Sequence, residues 1–263
     1  MRAWRLIRRF WAASLQELVA YRANFWISVL HSLLNLGTGV LGVGVLFGQA
    51  EMVRGWTYSS ALALLGVYLT LNALRSLFVG PSLDALAGLE GEVWTGQFDF
   101  TLLRPVDVQF QASFRRWRPL ALLDLALGLG VLVAAVIRLE QAVSLAQVAL
   151  FGLALAMGML LLYAILLAFT GLVFWSPTVL YTWVFNAIWQ MARYPVGLYP
   201  GWLRLVMTWV VPVGLMTTIP AQALAGTLPM RTLIGGTVVT LIFLTGATLL
   251  FRIGLRRYAS ASS

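Results

Sequence analysis

The chain has 263 residues, of which 60 % are apolar and 10 % are charged, and its mean hydropathy is +0.87. All 18 basic residues are arginine, none is cysteine and one is histidine, which leaves a net charge of +9. This composition excludes a water-soluble domain, and it excludes a P-loop nucleotide site because that site needs a lysine. It also excludes thiolate and multi-histidine metal sites, so we expect no cofactor in this chain.

Residues 2–21 predict an amphipathic helix before the first long apolar stretch. Apolar side chains recur three or four positions apart, at Trp4, Ile7, Trp11, Leu15 and Leu18, with Arg2, Arg5, Arg9 and Gln16 opposite them. Such a helix is expected to lie flat on the inner leaflet as an anchor. The alternative is a lever that links the membrane domain to a cytoplasmic partner. The apolar run that follows is too long for a signal peptide, so we expect the segment to be retained.

Six apolar stretches predict transmembrane helices, by comparison with a hydrocarbon core of about 30 Å. They comprise residues 25–47, 58–79, 119–137, 145–169, 179–191 (with a start near Gly171 as the alternative) and 233–251. The predicted fold class is an all-α polytopic membrane protein with six transmembrane helices. We expect residues 1–263 to form a single transmembrane domain, with a long polar loop at 81–118.

Residues 194–230 are apolar but contain five prolines, which make one straight spanning helix unfavourable. A re-entrant hairpin of two short helices, at 202–211 and 216–224, fits this pattern better. Arginine counting sets the orientation. With both termini in the cytoplasm, twelve arginines lie inside and five lie outside, namely Arg54, Arg138, Arg193, Arg204 and Arg231. Because the arginines cluster beside span ends, anionic membrane lipids explain the basic surplus and no nucleic-acid partner is expected.

Several polar or small residues fall inside the predicted spans. Arg75 and Asp124 lie at equal depth on consecutive spans, which predicts an ion pair; a proton relay is the alternative. The remaining polar candidates either line a path or bond between helices, and helix packing is the preferred interpretation; they are His31, Asn35, Asn72 and Asn186. Gly44 and Gly48 form a G-x-x-x-G pattern that predicts close packing, either within one subunit or at a dimer seam.

The long loop carries an acidic segment that predicts a short amphipathic helix. Its acids are Asp84, Glu90 and Glu92, and its apolar face consists of Leu83, Leu86, Leu89 and Val93. Asp99 and Arg104 follow within residues 96–105, whose sequence is GQFDFTLLRP. A compact amphipathic segment in the largest cytoplasmic loop is a plausible docking element. The alternative is a solvated loop that only joins two spans.

The pattern G-x-x-D-x-x-L-x-R-P resembles the permease subunits of the ABC-2 exporter superfamily, in the branch of paired permeases of about 260 residues. The resemblance extends in matching order to ARYPVGLYP at 192–200, VP at 211–212, IPA at 219–221 and RRYASASS at 256–263. It implies that the loop docks on a separate ATPase through Asp84, Leu86, Leu89, Glu90, Glu92, Asp99 and Arg104. It also implies extracellular re-entrant helices and an interfacial N-terminal helix.

The same resemblance implies partners and a location. We expect a homo- or heterodimer of permeases, bound to two ATPase subunits that hold the ATP and Mg²⁺, in the inner membrane of a prokaryote. The chain itself is expected not to be an enzyme. A secondary transporter or channel without an ATPase is the alternative, but few ionisable residues beyond His31 lie near mid-membrane. An intramembrane enzyme would need a catalytic constellation that this composition does not offer.

Overall fold

Five helices are long and apolar enough to cross a membrane, and they correspond to five of the six predicted spans. The computed structural model describes residues 2–20, 22–48, 51–139, 143–178 and 181–258. In chain order the elements are α1 (Arg2–Ala20), α2 (Arg22–Phe47), β1 (Met52–Val53), β2 (Trp56–Thr57), α3 (Tyr58–Leu74), a π-helical turn (Arg75–Val79), α4 (Gly80–Asp84), α5 (Asp99–Leu102), α6 (Val108–Phe114), α7 (Ala121–Arg138), α8 (Leu145–Leu172), α9 (Tyr181–Met191), a 3-10 turn (Val196–Leu198), α10 (Gly201–Leu205), a second π-helical turn (Val206–Val210), α11 (Val213–Leu224) and α12 (Met230–Arg257). The all-α class predicted from the sequence is confirmed.

Helix α3 forms the centre of the molecule, and every residue from 61 to 71 is buried. It packs against α7, α8 and α11. Glycines permit the close approach of these helices. A Cβ atom on Gly128 of α7 would stand 2.8 Å from the Thr70 backbone nitrogen, and one on Gly158 of α8 would stand 2.8 Å from the Met216 carbonyl oxygen of α11. In lipid there is no hydrophobic driving force between helices. Small residues at such crossings let the backbones approach closely, so that van der Waals packing holds the helices together.

The two ends of the helix bundle differ in their connections. Strands β1 and β2 form a short antiparallel hairpin at one end, which we call the β-hairpin end, and Arg54 there donates a hydrogen bond of 2.6 Å to the Gly197 carbonyl. The opposite end, called the arginine-rich end, contains residues 85–118, residues 173–178 and Tyr258. These segments touch one another, since the Gly88 N–H donates to the Pro177 carbonyl at 3.2 Å.

The two short helices predicted after the fifth span are present, at Gly201–Val210 and Val213–Leu224, and they meet at 85°. Their junction is Val211 and Pro212, and the proline nitrogen cannot continue a helical hydrogen-bond ladder. The Met216 carbonyl lies against Gly158, midway along α8, so the bend reaches the middle of the bundle. This geometry is that of a broken or re-entrant span.

The predicted fifth span at 179–191 is the short helix α9, whose eleven residues rise about 16 Å. Residues 179 and 180 lie outside the described part of the chain, and Gly171 belongs to α8 rather than to this helix. Because α9 is about half as long as the hydrocarbon core is thick, the chain beyond it starts at membrane depth. Arg193, which arginine counting assigned to the outer surface, therefore lies inside the bundle.

Residues 2–20 form the helix predicted at the N-terminus, and its middle contacts the arginine-rich end. Ser14 Oγ accepts a hydrogen bond of 3.3 Å from the Trp117 N–H, and Trp11 meets Trp117 edge to face with ring centroids 5.4 Å apart. Residue 21, the side chains of Trp4 and Leu18, and the tail motif at 259–263 lie outside the described part. The position of α1 on the membrane surface stays a prediction.

Candidate functional site

A cavity of about 660 Å³ opens between α2, α3 and α9. All four intramembrane polar residues predicted as lining or packing groups, namely His31, Asn35, Asn72 and Asn186, border it. They come from three helices, so the fold brings together side chains that are up to 155 positions apart in sequence. The other lining residues are Leu34, Thr38, Tyr68, Arg75, Trp183, Ala187, Trp189, Gln190 and Arg193.

Arg193 is the principal lining residue that sequence reasoning missed. Its Nη2 donates to Asn35 Oδ1 at 3.3 Å, and its guanidinium carbon lies 5.4 Å from the centre of the Tyr68 ring. Both partners lie well inside their spans, with Tyr68 about 15 Å along α3 from Tyr58. The signal that could have located Arg193 is the shortness of the apolar run before it.

Some of the polar side chains around the cavity also bond between helices, as the packing interpretation expected. Asn72 Oδ1 accepts a hydrogen bond of 3.0 Å from Trp189 Nε1, which joins α3 to α9. Trp189 is fully buried, stacks on Phe185 and tilts against Tyr68. The two interpretations are therefore compatible, because Asn72 packs against α9 and borders the cavity at the same time.

Arg75 pairs with Asp84, not with Asp124 as predicted. Its Nη2 lies 3.5 Å from Asp84 Oδ2, and no ion pair of Asp124 exists within the described ranges. The π-helical turn at Arg75–Val79 and the following helix α4 bring Asp84 back toward Arg75. Asp124 instead lies in the first turn of α7, where the partial positive charge of a helix N-terminus favours a carboxylate.

The acidic segment of the long loop is not the amphipathic helix that was predicted. Helix α4 ends at Asp84, and residues 85–98 form successive turns in which Gly88 and Gly96 have positive φ angles of 88° and 75°. Leu86 and Val93 point inward and are buried. They cannot offer an apolar face to a partner, because their apolar face is already covered by this chain.

Glu92 is an internal ion-pair partner and not a surface charge. Its residue is 4 % exposed, and its Oε1 accepts hydrogen bonds from Arg115 and, at 2.7 Å, from Arg116. Arg115 Nη1 also donates to Thr101 Oγ1 at 2.8 Å. This network fastens the first half of the loop to the second, and it leaves the buried Glu92 side chain no exposed face to offer to a partner.

What the loop does expose is a group of apolar side chains, which we call the apolar surface: Leu89, Trp94, Phe100 and Leu103. Phe100 is 68 % exposed and Leu103 is 79 % exposed. Glu90 and Arg104 are exposed beside them. Of the predicted coupling residues, Leu89, Glu90 and Arg104 thus lie at the surface, whereas Leu86 and Glu92 do not. Trp94, Phe100 and Leu103 were missed, although the last two stand inside the motif at 96–105.

An aromatic cluster fastens the loop to the helix bundle. The Phe98 ring lies 5.5 Å from the Phe174 ring and 5.4 Å from the Tyr258 ring, and Phe174 meets Phe251 of α12 at 5.4 Å. Burial, followed by interaction with the Asp99 carboxylate, raises the pKa of the Tyr258 hydroxyl to about 12. The cluster therefore joins the loop, the α8–α9 connection and the end of α12.

Gly44 lies on an open face of α2. No atom of the described residues stands within 4 Å of the place where a Cβ would be, and the nearest described atoms beside Gly48 belong to its own helix. Packing within one subunit therefore does not occupy this glycine pair, and its role at a dimer seam stays a prediction. Within the described residues no group of three or more His, Asp or Glu side chains is arranged to hold a metal ion.

Residues 33–262 match the family described as ABC-2 family transporter protein. This match covers the long loop and every named cavity residue except His31. The chain belongs to the ABC-2 transporter family. No curated protein and no solved structure gives a significant match. The ABC-2 resemblance seen in the motifs is confirmed, and the protein is a multi-pass membrane component of ABC transport. In this permease the cavity lies within the membrane bundle and the apolar surface lies at its arginine-rich end.

Proposed function

We propose that the chain is the permease subunit of an ATP-driven ABC exporter. Two permeases, identical or paralogous, form the translocation path and bind two separate ATPase subunits, which hold ATP and Mg²⁺. The complex resides in the inner membrane of a prokaryote, with both termini and the arginine-rich end in the cytoplasm and the β-hairpin end outside. Twelve arginines on one side against four on the other support this orientation, once Arg193 is left out of the count because it lies inside the bundle.

The observation that carries the proposal is the apolar surface of the long loop. Phe100 and Leu103 are large, apolar and mostly exposed, although this end of the bundle is otherwise rich in arginine. Phe100 and Leu103 stand three positions apart, in α5 and at the residue that ends it, so they share one side of this helix. An exposed apolar patch marks a surface that a partner covers. Glu90 and Arg104 flank them with opposite charges, which suits steering and orientation of a protein partner.

The loop is also built to transmit force. The Glu92 network makes its two halves one unit, and Phe98 connects that unit to α8 and α12 through Phe174 and Tyr258. Ser113 is within 2.9 Å of the Tyr163 hydroxyl on α8, which adds a second connection. When the ATPases close on ATP, a displacement of the apolar surface therefore moves helices and not merely a flexible loop.

A third connection leads from the loop to the cavity. The Arg118 N–H donates to the Leu77 carbonyl at 2.9 Å, inside the π-helical turn. That turn begins at Arg75, which borders the cavity. Single-turn π-helical segments recur at functional sites in helices. Rocking of the loop thereby changes the width of the cavity between α2, α3 and α9.

The test is a double substitution, Phe100→Ser with Leu103→Ser, in the chain co-expressed with its ATPase. Removing the apolar contact should abolish co-purification of the ATPase and stop ATP-dependent transport, while membrane insertion stays normal. The matched control is Met52→Ser with Leu145→Ser, which removes two exposed apolar side chains at the β-hairpin end. The proposal would be contradicted if both double variants lost ATPase co-purification and transport equally, or if Phe100→Ser with Leu103→Ser lost neither.

A further inference from the structure

We propose that the cavity between α2, α3 and α9 binds an anionic amphiphile, whose acidic head group contacts Arg193 and Asn35. The inference rests on the proposed transport function and adds to it the chemical class of the substrate. Nothing about the class follows from family membership, because a fold does not fix what it carries.

The charge of the cavity is positive. Its lining includes Arg75 and Arg193, and no carboxylate belongs to it in the part of the chain that the structure describes. Arg75 is matched by Asp84, but Arg193 takes part in none of the ion pairs formed by the described residues. A cation held at membrane depth without a counter-ion is costly, and such residues mark substrate or ion pathways. An anionic ligand would supply the missing charge.

The hydrogen-bonding groups of the cavity are mainly donors. Arg193 Nε is buried and has no hydrogen-bond partner among the described residues, although Nη2 of the same side chain donates to Asn35. Because the amide oxygens of Asn35 and Asn72 are occupied by Arg193 and Trp189, their amide nitrogens remain to donate. A phosphate or carboxylate group, which only accepts, satisfies this set of donors.

The opening of the cavity faces hydrocarbon. Trp183 lines it and is 75 % exposed, and the neighbouring Leu30 and Leu34 of α2 are exposed as well. In a membrane these side chains contact acyl chains, not water. A ligand whose head lies on Arg193 therefore extends an apolar tail between α2 and α9 into the bilayer. This favours an amphiphile over a small soluble anion.

The experiment uses tryptophan quenching, with the full-length chain in nanodiscs of zwitterionic lipid. The probes are ω-bromododecyl phosphate, ω-bromododecanoate and ω-bromododecyltrimethylammonium, whose bromine quenches a nearby indole. The two anionic probes should quench saturably, and Trp183→Phe should remove part of that signal. The cationic probe should not bind saturably, because Arg193 repels it. Inorganic phosphate should compete weakly, since it lacks a tail.

Two variants test the role of Arg193. Arg193→Gln should weaken binding of both anionic probes by about tenfold or more, which corresponds to the loss of a charge-assisted hydrogen bond. Asn35→Asp places a carboxylate where the amide oxygen now lies 3.3 Å from Arg193, so it neutralises the arginine within a nearly unchanged shape. This variant should fold and should also lose anion binding. Arg231→Gln, at an exposed position of α12, is the control that should bind normally.

Saturable binding of the cationic probe with similar affinity would overturn the inference, as would unchanged anion binding in Asn35→Asp. Full competition by inorganic phosphate would overturn the amphiphile class. Relative affinities for the phosphate and carboxylate probes identify which head group the site prefers. Co-purification of the ATPase is measured on the same variants and should be unaffected. Its loss in Phe100→Ser with Leu103→Ser tests the proposed function separately, so the two failures are distinguishable.

Discussion

Arg75 Nη2 lies 3.5 Å from Asp84 Oδ2, and this pair closes the π-helical turn that interrupts the second span. The guanidinium carbon of Arg75 also lies 5.1 Å from the centre of the Phe185 ring on α9. One side chain thus contacts the end of its own span, a second helix and the cavity. The pair is where the membrane cavity and the long loop meet.

We predict that Asp84→Asn lowers the free energy of unfolding by about 2 kcal/mol, because Arg75 then stays buried without its counter-charge. The double variant Arg75→Met with Asp84→Asn should recover part of that loss. Asp124→Asn is the control, and it should cost at most about 1 kcal/mol because it removes only a charge at a helix N-terminus. Equilibrium unfolding in detergent measures the changes in these three variants and in Arg75→Met alone, and additive losses at Arg75 and Asp84 would show that the two residues do not interact.

Substitution of the two neighbouring glutamates of the loop, Glu90 and Glu92, should affect stability very differently. Glu92→Ala leaves Arg115 and Arg116 without their shared acceptor and should cost about 3 kcal/mol. Trypsin should then cleave faster after these arginines, because the loop opens. Glu90→Ala, two residues earlier and exposed, should change stability by less than about 0.5 kcal/mol. Similar cleavage rates in both variants would contradict the internal role of Glu92.

The orientation can be tested in a chain that naturally contains no cysteine. Single cysteines at Met52 and Leu103 occupy exposed positions at opposite ends of the bundle. In intact cells a membrane-impermeant maleimide should label Met52→Cys, whereas Leu103→Cys should react only after permeabilisation. Labelling of Leu103→Cys from outside would reverse the orientation.

Tyr258 predicts an alkaline dependence of stability. Its pKa is about 12 in the folded chain, above the value of about 10 expected for an unfolded tyrosine. The stabilising contribution of the neutral hydroxyl is therefore complete below pH 10 and is lost as the pH rises toward 12. Unfolding midpoints measured across this window should fall less in Tyr258→Phe than in the natural chain. If the unfolding midpoint falls equally steeply with pH in both chains, the role assigned to Asp99 and to burial of Tyr258 is contradicted.

Five of the six spans could be predicted from the sequence, because length and apolarity determine which helices can cross a bilayer. The bent pair could be predicted for a similar reason, since Pro212 interrupts a hydrogen-bond ladder wherever the helix lies. In both cases the physical cause is local in the sequence. For the bent pair of helices, the predicted and observed bounds differ by at most three residues.

The partners of charged residues could not be predicted, because they depend on long-range geometry. Equal depth made Asp124 the expected partner of Arg75, but a π-helical turn, which no residue pattern marks, brings Asp84 closer. The helical pattern of the sequence places Glu92 at an exposed position. In the structure its side chain is buried because it pairs with Arg115 and Arg116, which lie 23 and 24 residues later in the chain. The cavity likewise depends on the rotation of α2, α3 and α9 about their axes.

The central claim is that the apolar surface binds a separate ATPase. A photoreactive benzophenone maleimide attached to Phe100→Cys tests it most directly, in cells that contain the natural ATPase partner. We expect an adduct with the combined mass of permease and ATPase from Phe100→Cys, and no such adduct from Met52→Cys at the β-hairpin end. An adduct from Met52→Cys instead, or no ATPase adduct from Phe100→Cys in a complex that still transports, would contradict it.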